Sequence, residues 1–119
     1  MAENLPVRPA MKRGAPGPAP MPEPPAPPKH LGDDSRKQWD AAVTGWVLGP
    51  DALPLLQAAC ESWDRYVAAR NRIRKDGPVV THPTSGAMNA HPAHAVMRDN
   101  LREWRMLWRQ LGLQPPEAV

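Results

Sequence analysis

The sequence has few of the residues that stabilise a small domain by covalent or metal cross-links. Its 119 residues include one cysteine, Cys60, so no internal disulfide can form. The longest apolar stretches are interrupted by charge or proline well before the roughly 18 residues that a membrane span needs. The first eleven residues contain no run typical of a signal peptide. We therefore expect an intracellular protein that neither spans nor enters a membrane.

The motifs of nucleotide-dependent and nucleophilic enzymes are also missing. No Walker-type phosphate loop occurs, and no Gly-x-Gly-x-x-Gly follows a predicted strand. Cys60 lies on the apolar side of a predicted helix, which favours a buried and inert thiol over a nucleophile. His82, His91 and His94 lack nearby carboxylate or cysteine partners for a metal ion. The sequence predicts no enzyme activity, no catalytic residue, no metal site and no cofactor.

Phenylalanine is absent, so tryptophan must supply the large side chains of any core. The five tryptophans could stack on nucleic-acid bases, but all of them fall on predicted apolar helix stripes, which favours core packing. These residues are Trp39, Trp46, Trp63, Trp104 and Trp108.

Proline is distributed unevenly and divides the chain. Ten of the 17 prolines precede residue 29, and such a segment buries too little apolar surface to fold. We predict a disordered, basic, proline-rich arm over residues 1–30, a helical domain over 31–113 and a flexible tail over 114–119. Lys12 and Arg13 of the arm are candidate DNA contacts, although an inert arm is an equally valid interpretation.

Apolar residues recur at helical spacing in three segments of the domain. The first predicted helix opens at Asp33, Asp34 or Ser35 and stops at Gly49-Pro50; the second runs from Asp51 to Gly77-Pro78. The third opens at His91-Pro92 and ends at Gly112, a residue suited to a left-handed C-cap.

These segments predict an all-α fold in which the second and third helices form a long antiparallel hairpin. Residues 78–90 carry two short extended stretches around a Pro-Thr-Ser-Gly turn signal, which predicts a β-hairpin or an ordered loop.

A domain of this size has a small core, and its second helix is too long for one copy to cover. We therefore predict a homo-oligomer, with a ring as the expected form. The candidate interface residues are Leu55, Trp63, Tyr66, Trp104 and Trp108.

Arginines of the third predicted helix form a stripe, because spacings of four, three and four residues keep them within about 60° of one another. Such a stripe suits contacts with a DNA backbone, acidic residues of a neighbouring subunit, or solvent. Its members are Arg98, Arg102, Arg105 and Arg109. Arg70 and Arg74 on the second helix are further DNA or interface candidates, or they complement the helix dipole.

The order of these features resembles the P27 family of phage terminase small subunits. The resemblance covers Pro27 to Pro115 and depends on order and spacing, not on a catalytic signature. It is carried by Trp63 and Tyr66 in a Leu-Leu-Gln-Ala-Ala-Cys-Glu-Ser-Trp-Asp-Arg-Tyr segment, by His91-Pro92-Ala93, and by Leu111-Gly112-Leu113 followed by proline.

The resemblance implies a ring-forming, non-enzymatic component that acts in the bacterial host cytoplasm during virion assembly. It would bind double-stranded viral DNA and present the DNA to the terminase large subunit, which supplies the ATPase and nuclease. The chain ends in Gln114-Pro-Pro-Glu-Ala-Val119 instead of the family's usual serines and arginine, so no DNA contact is expected from its tail. Two alternatives remain open: a helical adaptor that binds no DNA, and a dimeric DNA-binding regulator.

Overall fold

The structure is a computed structural model that describes residues 11–12 and 23–116. It is mostly helical, as predicted, with two short antiparallel strand pairs. The helices are α1 (Asp33–Gly45), α2 (Leu53–Asp76) and α3 (Ala93–Leu111). The strands are β1 (Met11–Lys12), β2 (Trp46–Val47), β3 (Val79–Thr81) and β4 (Met88–Ala90).

Helices α2 and α3 form the antiparallel hairpin that the sequence predicts. Near the closed end of the hairpin, His91 Nε2 lies 2.9 Å from Asp76 Oδ2. Further along, Arg65 Nε donates to Asn100 Oδ1 at 3.0 Å. The 24 residues of α2 give it a length of about 36 Å at 1.5 Å per residue.

A short β-hairpin connects these two helices. Strands β3 and β4 pair in an antiparallel register with Val79 opposite Ala90 and Thr81 opposite Met88. Gly86 in the turn has a φ of 72°, a conformation that glycine adopts without steric cost. The sequence left a hairpin and an ordered loop open, and the structure shows the hairpin.

Helix α1 packs on the N-terminal half of α2 through polar contacts as well as apolar ones. Ser35 Oγ donates to Asp64 Oδ1 at 2.6 Å, and the buried Cys60 thiol donates to the Ser35 carbonyl at 3.4 Å. The Trp104 indole N–H donates to Gln38 Oε1 at 2.9 Å, which joins α1 to α3 as well. All three helices therefore share one core.

Tryptophan dominates that core, as the absence of phenylalanine predicts. The rings of Trp63 and Trp104 lie 4.8 Å apart, and Trp104 meets Trp108 edge-on at 6.4 Å. The other large core side chains are Leu31, Trp39, Val43, Leu56, Leu107, Leu111 and Leu113, while Trp46 is half-buried beside them.

The C-terminal ends of α2 and α3 match their sequence signals, whereas α2 begins at Leu53, two residues after the predicted start at Asp51. Gly77 follows α2 with a φ of 87°, and Gly112 follows α3 with a left-handed φ of 74°. The Gly112 N–H donates to the Arg109 carbonyl and the Leu113 N–H donates to the Trp108 carbonyl, which is a Schellman arrangement around the predicted left-handed C-cap.

Helix α1 begins at Asp33, one of the three predicted starts, but it ends earlier than predicted. Its N-cap is Gly32, whose N–H donates to the Asp64 carboxylate at 3.1 Å, and Asp33 and Asp34 lie in the first turn. The helix ends at Gly45, before Gly49-Pro50, because Trp46 and Val47 are extended and pair with β1.

The proline-rich segment directly before α1 makes specific contacts with that helix. The Trp39 indole N–H donates to the Pro25 carbonyl at 3.0 Å, and Arg36 Nη2 donates to the Lys29 carbonyl at 2.6 Å. The remainder of the predicted arm, apart from β1, and residues 117–119 of the predicted tail lie outside the described residues. In the described part of the chain, no helix is both long and apolar enough to cross a bilayer.

Candidate nucleic-acid interface

The predicted arginine stripe is a continuous exposed surface of α3. Its four guanidinium-bearing side chains line one open groove of about 550 Å³. The groove, here named the arginine groove, is lined by Arg98, Arg102, Arg105 and Arg109 together with Tyr66, Met97, Leu101 and Met106. The structure thus brings the four predicted residues together on one surface.

Most of this positive charge has no neutralising partner among the described residues. Arg98 Nε lies 3.4 Å from Asp99 Oδ1, in an ion pair whose partners are 66% and 63% exposed and which therefore contributes little to stability. Among the described residues, Arg102, Arg105 and Arg109 have no acidic or hydrogen-bonding partner. Their charges are available to an anion or to an acidic surface.

The remaining lining of the arginine groove is apolar. Met106 is 51% exposed, and Met97, Leu101 and Tyr66 are half-buried. Helical spacing did not predict this apolar lining, because it does not show that the long arginine side chains and the apolar ones share one groove.

Arg70 and Arg74 lie in different surroundings. The Arg70 guanidinium lies 5.7 Å from the centre of the Tyr66 ring, a cation–π contact at the edge of the arginine groove, and its Nε is buried without a partner. Arg74 is exposed at the C-terminal end of α2 beside Lys75. Arg72, between them, donates to Asp76 at 2.8 Å.

One of the two candidate DNA contacts in the N-terminal arm belongs to a described strand. Lys12 belongs to β1, whose backbone pairs with Trp46 of β2, but its side chain is not described. Arg13 lies outside the described residues.

Three of the five predicted interface residues belong to the core of one protomer. Trp63, Trp104 and Trp108 are 4%, 2% and 3% exposed, so they offer almost no surface to a second subunit. Their stripe position is explained by packing between α2 and α3. Leu55 and Tyr66 are half-buried and retain some accessible surface.

An acidic groove on another side of α2 was not predicted. It also measures about 550 Å³ and is formed where the start of α1 meets α2. Its carboxylates are Asp33, Asp34 and Asp64, and Val67 and Ala68 are among its other lining residues. Only the fold reveals it, because Asp64 lies far from the two aspartates in sequence.

The histidines and the cysteine make structural contacts. Burial raises the pKa of the Cys60 thiol from 9.0 to about 12, which keeps it protonated at neutral pH. His91 Nδ1 accepts the Ala93 N–H at 3.0 Å at the start of α3, and His82 Nδ1 accepts two turn amides at 3.3 Å. Within the described residues, no group of three potential ligands could hold a metal ion.

Together, the fold and this surface define a small helical protein with an arginine-lined groove on the described part of its surface. A family model described as phage terminase, small subunit, matches residues 37–118. The chain therefore belongs to the phage terminase small-subunit family, and this membership gives it a role in phage genome packaging. The more specific P27 assignment stays a prediction.

No individual curated protein and no solved structure matches the chain. The family match includes all of α2 and α3 and most of α1, and so contains both surfaces on which the predicted arginines lie.

Proposed function

We propose that this chain is the terminase subunit that binds double-stranded viral DNA and presents it to the large subunit at the start of packaging. It acts in the bacterial host cytoplasm during virion assembly, in several copies arranged as a ring. It catalyses no reaction itself, because the large subunit supplies the ATPase and the nuclease. The observation that carries this proposal is a set of exposed basic side chains, Arg74 and Lys75 at the end of α2 among them, that have no acidic partner within the described residues, in a chain that belongs to the terminase small-subunit family.

Charge supports a polyanionic partner. The formal net charge is +3 at pH 7, and a ring multiplies this value by the number of its subunits. DNA phosphates attract such a surface, and binding releases counterions from the duplex. The contacts would be made to the backbone and would position DNA without reading its sequence.

The candidate phosphate contacts fall on two surfaces. One is the arginine groove with Arg70 at its edge, and the other is the C-terminal end of α2 with Arg74 and Lys75. Lys12 and Arg13 of the arm are additional candidates, since a flexible basic segment can follow the DNA backbone.

The salt dependence of DNA binding tests the proposal. Fluorescence anisotropy of a labelled duplex, measured with the full chain at several salt concentrations, should show affinity falling steeply as salt rises. Each phosphate contact contributes about 0.9 to the slope of log affinity against log salt. A chain with no measurable affinity for the duplex in dilute buffer would be a helical adaptor and would contradict the proposal.

Charge reversal at the end of α2 localises the contact. The double variant Arg74→Glu/Lys75→Glu should bind DNA more weakly and lower the slope by up to about 2, while the oligomer stays the same size. The matched control is Lys29→Glu/Lys37→Glu, which changes net charge equally at exposed positions beside and within α1. Equal loss in both variants would indicate a general charge effect instead of a contact at this surface.

A further inference from the structure

The composition of the arginine groove differs from that of a surface that meets only phosphates. Its cations are all arginines, and its other lining residues are two methionines, a leucine and a tyrosine. Arginine, methionine and tyrosine are enriched at protein–protein interfaces, whereas lysine is depleted there. A DNA backbone offers little apolar surface beyond the deoxyribose carbons to cover the half-exposed Met106, whereas a protein offers more. This groove therefore fits a protein partner that carries both acidic and apolar side chains.

The same chain carries such a surface in its acidic groove. Asp33 and Asp34 are exposed in the first turn of α1, and Val67 and Ala68 add apolar lining. The two grooves carry opposite charge, because four arginines line the first, whereas three aspartates and His30 line the second. Complementary potential of this kind selects partners and guides their association.

The two grooves open on different sides of α2. Tyr66 contributes to the arginine groove, whereas Asp64, Val67, Ala68 and Asn71 contribute to the acidic groove. At 3.6 residues per turn these four positions lie about 100–200° round the helix from Tyr66. One copy can therefore use both grooves at the same time, each with a different neighbour.

We infer that the arginine groove of one copy receives the exposed first turn of α1 of the next copy, which lies at the rim of the acidic groove. Three unpartnered guanidinium groups then meet carboxylates, and Met106 is covered. The interface is head-to-tail, so repeating it generates a ring or a filament. The inference rests on the proposed function only in requiring several copies; DNA affinity and assembly are measured separately.

Repulsion between like charges disfavours the simplest alternative, a two-fold dimer. A two-fold dimer through the arginine groove would bring Arg102 and Arg105 of one copy against the same residues of its partner, because a two-fold interface uses one patch twice. Like charges at an interface disfavour association. The head-to-tail arrangement, in contrast, leaves the exposed Arg74 and Lys75 accessible to DNA in the assembled form.

A mixing experiment with two charge-reversed full-length variants tests this interface. Arg102→Glu/Arg105→Glu makes the arginine groove acidic, and Asp33→Lys/Asp34→Lys makes the acidic groove basic. Each variant alone should need a protein concentration about 100-fold higher than the wild type to assemble. An equimolar mixture should assemble again, because each altered groove then meets a complementary one. Sedimentation velocity gives the masses, and far-ultraviolet circular dichroism shows whether each variant is folded.

The outcomes separate the interface from the DNA contact. Assembly restored only by mixing supports the inference, and a general folding defect could not produce that result. If both variants assemble like the wild type, or if mixing restores nothing, the inference is wrong. If the arginine variant assembles normally but loses DNA affinity, the arginine groove binds DNA and the proposed function survives without this interface.

Discussion

At the scale of single residues, Cys60 shows how burial decides chemistry. The side chain has no exposed surface, donates to the Ser35 carbonyl, and has its pKa raised to about 12 chiefly by burial, with Asp64 and Glu61 adding to the effect. The sequence correctly placed this thiol on the apolar side of α2. It could not identify Ser35 as the acceptor, since that contact depends on how α1 docks.

We predict that Cys60 is unreactive in the folded protein at pH 8. A disulfide reagent such as DTNB should label it only as fast as the chain unfolds, and mild urea should accelerate the labelling. The pKa of the Cys60 thiol in the folded chain exceeds the unfolded value of 9.0. Burial of the neutral thiol therefore contributes fully to the free energy of unfolding below pH 9, and this contribution is lost as pH rises towards about 12 because the unfolded chain ionises first. Immediate stoichiometric labelling of the native protein would contradict the burial.

A second residue-scale prediction concerns the buried hydrogen bond between Trp104 and Gln38. Gln38→Leu leaves the indole N–H without a partner and should lower the free energy of unfolding by about 1–3 kcal/mol. The double variant with Trp104→Phe should lose less than the sum of the two single variants, because the second change removes the orphaned donor. Urea unfolding monitored by circular dichroism supplies the cycle, and strictly additive losses would show that the bond is unimportant.

At the scale of elements, the periodicity of apolar residues predicted the features that depend on local sequence alone. Helices α2 and α3, their glycine stops and the hairpin turn are all encoded within a few residues of where they occur. Gly32 was not predicted as the residue that precedes α1, because its N–H is bound by Asp64, a contact between distant parts of the chain. Pairing of β1 with β2 was missed for the same reason.

The candidate site also combines features that local sequence predicts with features that depend on contacts between distant parts of the chain. Helical spacing alone placed the four arginines on one surface, and the structure brings them into one groove. The acidic groove could not be predicted, because it exists only where α1 docks on α2. The tryptophans were predicted both as core and as interface residues, and their burial in one protomer supports only the first role for Trp63, Trp104 and Trp108.

At the base of the β3–β4 hairpin, His91 connects the start of α3 to the end of α2. Its Nδ1 accepts the Ala93 N–H, so its Nε2 carries the proton and donates to Asp76. His91→Ala should therefore accelerate amide exchange at Ala93 and across β3 and β4, while the same change at the exposed His82 should affect only the turn. Exchange measured by NMR checks both, and equal rates in wild type and His91→Ala would contradict this role.

The same contact predicts an acid dependence. Hydrogen bonding from His91, with a smaller contribution from Arg72, holds the pKa of Asp76 below its ordinary value of 3.8. The stabilisation is therefore present above pH 3.8 and is lost as pH falls through the lower folded value. Thermal melting of Asp76→Asn across this range should show a weaker acid dependence than that of the wild type.

At the scale of the whole molecule, a small tryptophan-rich core is combined with charged surfaces that have few partners within one copy's described residues. Three helices bury one core, but the groove on α3 contains a half-exposed methionine and three arginines without an acidic partner in the described part of the chain. Complementary acidic surface lies elsewhere on the same chain. This arrangement is expected of a subunit that completes its surface by joining further copies.

Native mass spectrometry of the full chain, alone and with a duplex, tests the central claim most directly. The account predicts a complex of several copies that retains its subunit number when DNA is added and shifts by the mass of the bound duplex. A single copy that persists at high protein concentration and takes up no DNA in a low-salt volatile buffer would contradict it.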